Sequence, residues 1–292
     1  MQTRPAALET VFVDVPDTAV EAYEAALASA CTTVGFFRNS AETAWRIEGV
    51  KPVGAAEAEL AAALAIAALI SGVTAPLQRH TTPAEGWLAR TQAAFPEQMI
   101  GKRFAIRGSH LNGPPIPGRI TLKLDAGLAF GSGEHGSTRG CLLALERMAW
   151  RRPRRILDLG TGSGILAIAA ARRLHRPVLA TDIEPWSVRV AQRNARDNGV
   201  GTLVRARRAD GWADRAISRA APYDLVFANI LARPLMAMAR HLAVQLAPGG
   251  TAILAGLLRQ QAAAVLTAHR RLGLKLLVQR QEGPWTTLVL RR

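Results

Sequence analysis

Three glycines at alternate positions, Gly160, Gly162 and Gly164, follow directly on the apolar run Ile156-Leu157-Asp158-Leu159, and this stretch constrains the chain more than any other. The run reads as a buried strand. Ile165, Leu166 and Ile168 then open an apolar helix that continues to about Arg173. A glycine turn between strand and helix lets a ligand approach the backbone, because no Cβ stands in the way. The first N–H groups of the new helix face the same crevice.

Spacing narrows the ligand class. Dinucleotide-binding loops read G-x-G-x-x-G, whereas here the third glycine comes one residue sooner and Asp158 precedes the loop. A second strand, Val178 to Asp182, ends in an acid 18 residues after Gly164, close to the interval of about 20 expected for a ribose-binding acid. A carboxylate at that strand end can accept from two ribose hydroxyls. An ordinary αβ loop and a surface aspartate would explain either feature alone. Together they point to a nucleotide-type cofactor.

The alternation continues downstream. A helix is expected over Pro185 to Asn198, a strand over Leu203 to Arg208, and a strand over Tyr223 to Ala228 that ends at Asn229. A helix follows from Pro234 to Leu246, with proline near its start. Gly249-Gly250 breaks the chain before a strand over Thr251 to Leu254. A helix over Leu258 to Leu272 and strands over Leu274 to Gln279 and Thr286 to Leu290 complete the chain. Repeated βα units imply a doubly wound parallel sheet with helices on both faces. In such a sheet the ligand lies at the carboxyl ends of the strands. The polar candidates there are Gly160 and Gly162 in the loop, Asp182, Asp210 and Asn229. Asp210 suits an adenine amino group, or is a plain turn residue. Asn229 both donates and accepts, and it falls where a reacting group would sit.

Upstream the pattern changes. Strand Leu8 to Val15, a helix to about Ala30, strands Thr33 to Phe37 and Thr43 to Ile47, helix Glu57 to Ile70 and a weak strand near Leu77 to His80 give the order βαββα(β). That is a small ferredoxin-like α+β unit. It holds no cluster of catalytic residue types, so residues 1–80 are expected to recognise a partner or merely to pack. Residues 81–96, with a short helix Trp87 to Ala94 ended by Pro96, read as a linker. Residues 97–292 are the cofactor-binding domain, opening with strands Met99 to Ile106 and Ile120 to Leu124. The glycine- and hydroxyl-rich segment from Leu124 to Thr138, before a helix from Arg139 to Trp150, is placed to fold over the ligand.

Charge divides the chain. Residues 1–80 carry five Lys/Arg against nine Asp/Glu, and the remainder 32 against 13. This supports an acidic or ribosomal setting and by itself selects no partner. The longest apolar run, Leu60 to Ile70, is too short to span a bilayer. No secretory leader is recognisable, and Cys31 and Cys141 read as reduced thiols, so a cytoplasmic protein is expected.

With these residues set out, the chain resembles the PrmA family, class I S-adenosylmethionine (SAM) methyltransferases that modify ribosomal protein eleven of the large subunit. The resemblance rests on Ala129-Phe130-Gly131-Ser132-Gly133-Glu134-His135-Gly136-Ser137-Thr138, the Asp158 loop, Asp182 and Asn229-Ile230-Leu231-Ala232. It implies a Rossmann-like class I fold, SAM as cofactor, and contacts to it at Thr138, Gly160, Asp182 and Asn229. It implies methylation of lysine side chains and the N-terminal amine, with the stalk-base protein as partner, and a linker that lets the N-terminal domain present several amines to one site. Ser132 and Ser137 stand where the family usually has Thr, both keeping a hydroxyl; the N-terminal domain departs most from the family pattern. Phe130 and Asn229 are the candidates for shaping the catalytic site, and no metal is called for. A monomer is expected, with direct nucleic-acid binding left open. The alternatives are a SAM-dependent methyltransferase acting on RNA or another ribosomal protein, and a non-enzymatic ribosome-associated module. Against base methylation, Ile230-Leu231-Ala232 offers no aromatic for stacking.

Overall fold

The computed structural model describes residues 7–38, 44–83, 97–108, 111, 114–124, 136–148 and 153–292. The chain divides into two units, Met1–Ala94 and Phe95–Arg292.

The first unit has strands β1 (Ala7–Val15), β2 (Thr33–Arg38), β3 (Trp45–Pro52) and β4 (Gln78–Pro83), with helices α1 (Val20–Ala30) and α2 (Glu57–Ser71). The sheet order β2-β3-β1-β4, antiparallel throughout, is the ferredoxin-like arrangement. Alternation in β1 explains it: Val11, Val13 and Val15 are buried, while the residues between them are half-buried. A charged network ties four elements together. Lys51 of β3, 1% exposed, pairs with Glu9 of β1 at 2.7 Å and with Glu57 of α2, and Arg79 of β4 bonds both acids. A buried ammonium persists only with such partners. The fourth strand expected near Leu77 to His80 runs to Pro83, which pairs with Ala7, so this sheet extends past residue 80. The remainder of the expected linker, with its Trp87 helix, lies outside the described residues.

The second unit holds strands β5 (Gln98–Ile100), β6 (Phe104–Arg107), β7 (Ile120–Lys123), β8 (Ile156–Leu159), β9 (Val178–Asp182), β10 (Val204–Arg208), β11 (Tyr223–Asn229), β12 (Leu246–Leu258), β13 (Lys275–Glu282) and β14 (Trp285–Arg291). Its helices are α3 (Gly136–Met148), α4 (Ile165–Leu174), α5 (Pro185–Asp197), α6 (Arg215–Ala220), α7 (Ala232–Ala237), α8 (Ala239–Gln245) and α9 (Ala262–Arg270). The main sheet runs β10-β9-β8-β11-β12-β14-β13. The first five strands are parallel, and β14 and β13 are antiparallel. The expectation of a parallel sheet throughout is corrected at this end. The last two strands form a hairpin around Gly283-Pro284, and a hairpin needs no crossover helix.

Strand side chains alternate between two cores. Ile156, Val178, Leu225, Phe227 and Ile253 face α3 and α4, while Leu157, Leu159, Val226, Ala228 and Leu254 face α7, α8 and α9. Burial on both faces accounts for the nearly unbroken apolar runs of these strands.

Other boundaries moved for identifiable reasons. The strand expected over Met99 to Ile106 is a hairpin, β5 to β6, turned at Gly101 with φ +56°. β12 starts at Leu246, five residues before the expected strand: Tyr223 pairs with Leu246 and Leu225 with Thr251, so Gly249-Gly250 lies in a bulge within the strand. The helix expected over Pro234 to Leu246 is two helices that meet at Met238. Helix α6, which went unread, begins where Asp214 accepts from Ala216 N–H at 2.7 Å.

Two side-chain amides bond the outermost strands of the two sheets. Gln192 of α5 donates to Val204 C=O and accepts from Ala206 N–H on β10 (3.3 and 3.1 Å). Asn198, at the end of α5, accepts from Lys123 N–H and donates to Lys123 C=O on β7, both at 2.7 Å. Among the described residues no helix is long and apolar enough to cross a membrane.

Candidate functional site

The chain runs from β8 to β9 and β10 on one side, then returns to place β11 on the other side of β8. This reversal opens a crevice at the carboxyl ends of β8 and β11. The glycine loop and Asn229 stand there, with the end of β9 beside them.

The loop is a tight glycine turn. Gly160, Gly162 and Gly164 have φ of 70°, 55° and 85°. A Cβ on Gly160 would lie 2.3 Å from Ile230 Cγ2, the residue after Asn229. The loop is fastened to β9 by Gly160 N–H and Thr161 N–H, which both donate to Thr181 C=O (2.8 and 2.9 Å). Asp182 completes the fastening: its carboxylate accepts from Gly162 N–H at 2.8 Å and from Glu184 N–H at 3.0 Å. Each oxygen takes one backbone donor and keeps a lone pair for a ligand hydroxyl. Asp182 is half-buried, so those lone pairs are reachable.

Asp158, under the loop, is 1% exposed. One oxygen accepts from the Thr161 hydroxyl at 2.6 Å and from Ala167 N–H at 3.1 Å; the other, Oδ1, is buried without a partner. Burial pushes its pKa from the ordinary 3.8 up to about 6, against the two hydrogen bonds and with help from the charge of Asp182. The folded chain therefore holds this proton more tightly than the unfolded chain. The stability it contributes is complete below pH 3.8 and is lost as pH rises to about 6. Two pKa units correspond to about 3 kcal/mol. Asp158→Asn is expected to remove this dependence in the ligand-free protein. Denaturant melts of both proteins at pH 4, 5, 6 and 7 test it: the variant gains on the parent as pH rises through this window. A constant difference would refute the assignment.

Asn229 ends β11. Its Nδ2 donates to Thr138 Oγ1 at 3.3 Å, and its Oδ1 is buried with no partner. Thr138 itself is fully buried in the first turn of α3, which starts three residues before the expected helix. An unpartnered buried carbonyl oxygen costs free energy unless a ligand uses it.

The structure thus joins Thr138 to Asn229 and Gly162 to Asp182. Asp210 lies exposed two residues beyond β10, next to Ala209, whose N–H donates to Asp182 C=O at 2.8 Å. Phe130 lies outside the described residues. Sequence reasoning passed over Ile183. Ile183 is 51% exposed immediately after Asp182 and offers an apolar surface beside it. An isoleucine directly after a strand-end acid was the available signal.

The donor set suits a nucleoside with an amino-acid tail and a positive charge: a glycine cradle, two carboxylates, an unused amide oxygen and an exposed apolar side chain. A family model described as ribosomal protein L11 methyltransferase (PrmA) matches residues 14–292. The chain belongs to this family. A ribosomal protein L11 methyltransferase of Bradyrhizobium diazoefficiens is 51% identical over 191 residues, 65% of each chain. That of Rhizobium meliloti is 47% identical over 218 residues, 74% of this chain and 75% of the relative. The crystal structure of a ribosomal protein L11 methylase from Lactobacillus delbrueckii subsp. bulgaricus superposes with a TM-score of 0.62 at 30% identity, covering 68% of this chain and 99% of that one. Membership in the L11 methyltransferase family makes the protein a SAM-dependent methyltransferase of class I fold.

Proposed function

We propose that the protein transfers methyl groups from SAM to amine nitrogens of ribosomal protein L11, on lysine side chains and at the N-terminus. The observation that carries this reading is the free Oδ1 of Asn229, an acceptor fixed at a strand end beside the cofactor cradle.

When bound, SAM supplies an electrophilic methyl on a sulfonium. Gly160, Gly162 and Thr138 line its place, Asp182 holds the ribose hydroxyls, and Asp210 is the candidate for the adenine amino group. The chain's own part is mostly positioning, since a well-aligned pair needs little further activation. Asn229 Oδ1 accepts an N–H of the incoming amine and turns its lone pair toward the methyl carbon. Thr138 keeps the Asn229 amide in that orientation. A lysine must first give its proton to water, from an ordinary pKa of about 10.4, and apolar walls favour the neutral amine. Phe130 is proposed as one such wall. With the amine held this way, its lone pair would face the methyl carbon as sulfur leaves with the S–CH3 electron pair, and the surplus amine proton would pass to solvent.

The N-terminal unit, acidic and free of catalytic clusters, is proposed to recognise the substrate. Its acidic charge would suit a basic surface on the substrate. A monomer acting in the cytoplasm, where its substrate is made, completes the reading.

Mass spectrometry of unmethylated ribosomal protein L11 incubated with the enzyme and SAM tests this. Mass gains in steps of one methyl are expected, mapping to amines. No gain in a sample where calorimetry shows SAM bound would overturn the substrate and leave the cofactor site standing.

A further inference from the structure

Helix α5, which starts three residues after Asp182, carries an exposed stripe along its length. Trp186, Arg189, Arg193 and Arg196 recur at spacings of three, four and three residues, while Ala191, Asn194 and Ala195 form the buried face. Trp186 is 47% exposed, and the Arg189 guanidinium lies over its ring at 5.4 Å. The Arg193 side chain is 77% exposed, and its pairing with Asp197 is a long 3.8 Å contact. β10, on which α5 packs, adds exposed Arg208, which donates to Ile183 C=O at 3.2 Å. From Ile183 to Arg208 the chain carries six arginines against two acids, Glu184 and Asp197. Among the described residues, Arg207 is the one of these engaged by an acid at hydrogen-bond distance, Asp214 at 3.1 Å.

An exposed tryptophan is costly on a surface otherwise built for water, and here it stands at one end of a row of guanidinium groups. A polyanion with flat rings satisfies both features. Phosphates pair with arginine in bidentate fashion, and an unstacked base lies on an aromatic face. A duplex would satisfy the arginines and leave Trp186 unused, because its bases are stacked and paired. A poly-acidic peptide would do the same. We propose that the α5 stripe binds single-stranded RNA, with Trp186 taking a base and Arg189, Arg193 and Arg196 the phosphates. RNA is here a docking ligand and not the methyl acceptor, so the inference stands independently of the substrate.

Fluorescence anisotropy with a labelled 12-nucleotide single-stranded RNA, across a salt series, tests it. The full-length enzyme should bind with a steep salt dependence. The triple variant Arg189→Gln, Arg193→Gln, Arg196→Gln should lose about two units of log K against log salt, at about 0.7 per phosphate contact. Trp186→Ala should weaken binding about tenfold and leave the slope unchanged. Unchanged SAM affinity and melting temperature would show both variants folded. A control triple, Arg240→Gln, Arg259→Gln, Arg270→Gln, removes exposed arginines from α8, the turn before α9, and α9. Loss equal to that of the stripe variant would mean diffuse charge and overturn the proposal. So would RNA duplex, polyglutamate or anionic vesicles binding as tightly as the single strand, or no binding at 50 mM salt.

Discussion

Replacing Asn229 by alanine is expected to lower kcat by about 10²- to 10³-fold while SAM still binds. The magnitude follows from what one pre-placed polar group contributes when it acts on the reacting atoms, about 3 to 4 kcal/mol. Asn229 ends β11, a strand buried on both faces, so its position does not depend on ligand. Its Nδ2 is held by Thr138, and its Oδ1 is buried with nothing to accept from among the described residues. Alanine removes the acceptor and leaves the strand, the loop and Asp182 in place. Initial rates with labelled SAM and unmethylated ribosomal protein L11, beside calorimetric SAM binding, give both quantities. A kcat within threefold of the parent would remove Asn229 from the reaction. Asn229→Asp is an informative companion: it keeps an acceptor but sets two acceptor oxygens where a donor to Thr138 was.

Asp182→Ala should raise the SAM dissociation constant about 100-fold. Hydrogen bonds to a charged group contribute about 1.5 kcal/mol or more each, and two ribose hydroxyls give about 3 kcal/mol, which is that factor. The loss has a second source in this structure. The same carboxylate accepts Gly162 N–H, so alanine also frees the loop that shapes the cradle. Asp182→Asn keeps the volume and one acceptor but turns an amide N–H₂ toward a backbone donor, so it recovers only part of the loss. Titration calorimetry at one salt concentration measures all three proteins. An affinity for Asp182→Ala within threefold of the parent would show that the ribose is held elsewhere.

The cofactor half of this site was legible because its chemistry is local. Glycines at alternate positions, an apolar strand before them and an acid closing the next strand all lie within one βαβ unit. Asn229 was legible as a polar residue at the end of an apolar strand. Its link to Thr138 was not, since the two are 91 residues apart and meet only when α3 packs against the sheet. Strand boundaries failed where partners decided them. Met99 to Ile106 is continuously strand-forming, and only Gly101 marked the turn. The bulge at Gly249-Gly250 is set by pairing with β11, which no local pattern states. The short α6 rests on the cap at Asp214, a signal present in the sequence but followed by too few residues to show helical periodicity.

The amides of Gln192 and Asn198 have a consequence for the protein in a crowded cell. β10 and β7 lie outermost in their sheets, and a bare outer strand is a template on which another chain can add itself. Gln192 occupies the carbonyl of Val204 and the N–H of Ala206, and Asn198 occupies both groups of Lys123. Each amide imitates one residue of a missing neighbour and is too short to be extended. An intruding strand would have to break these bonds before forming its own. Both plugs come from the same helix, α5 and its end, so an event that loosens that helix uncovers two sticky edges at once. The integrity of α5 therefore keeps these two edges closed to an added strand.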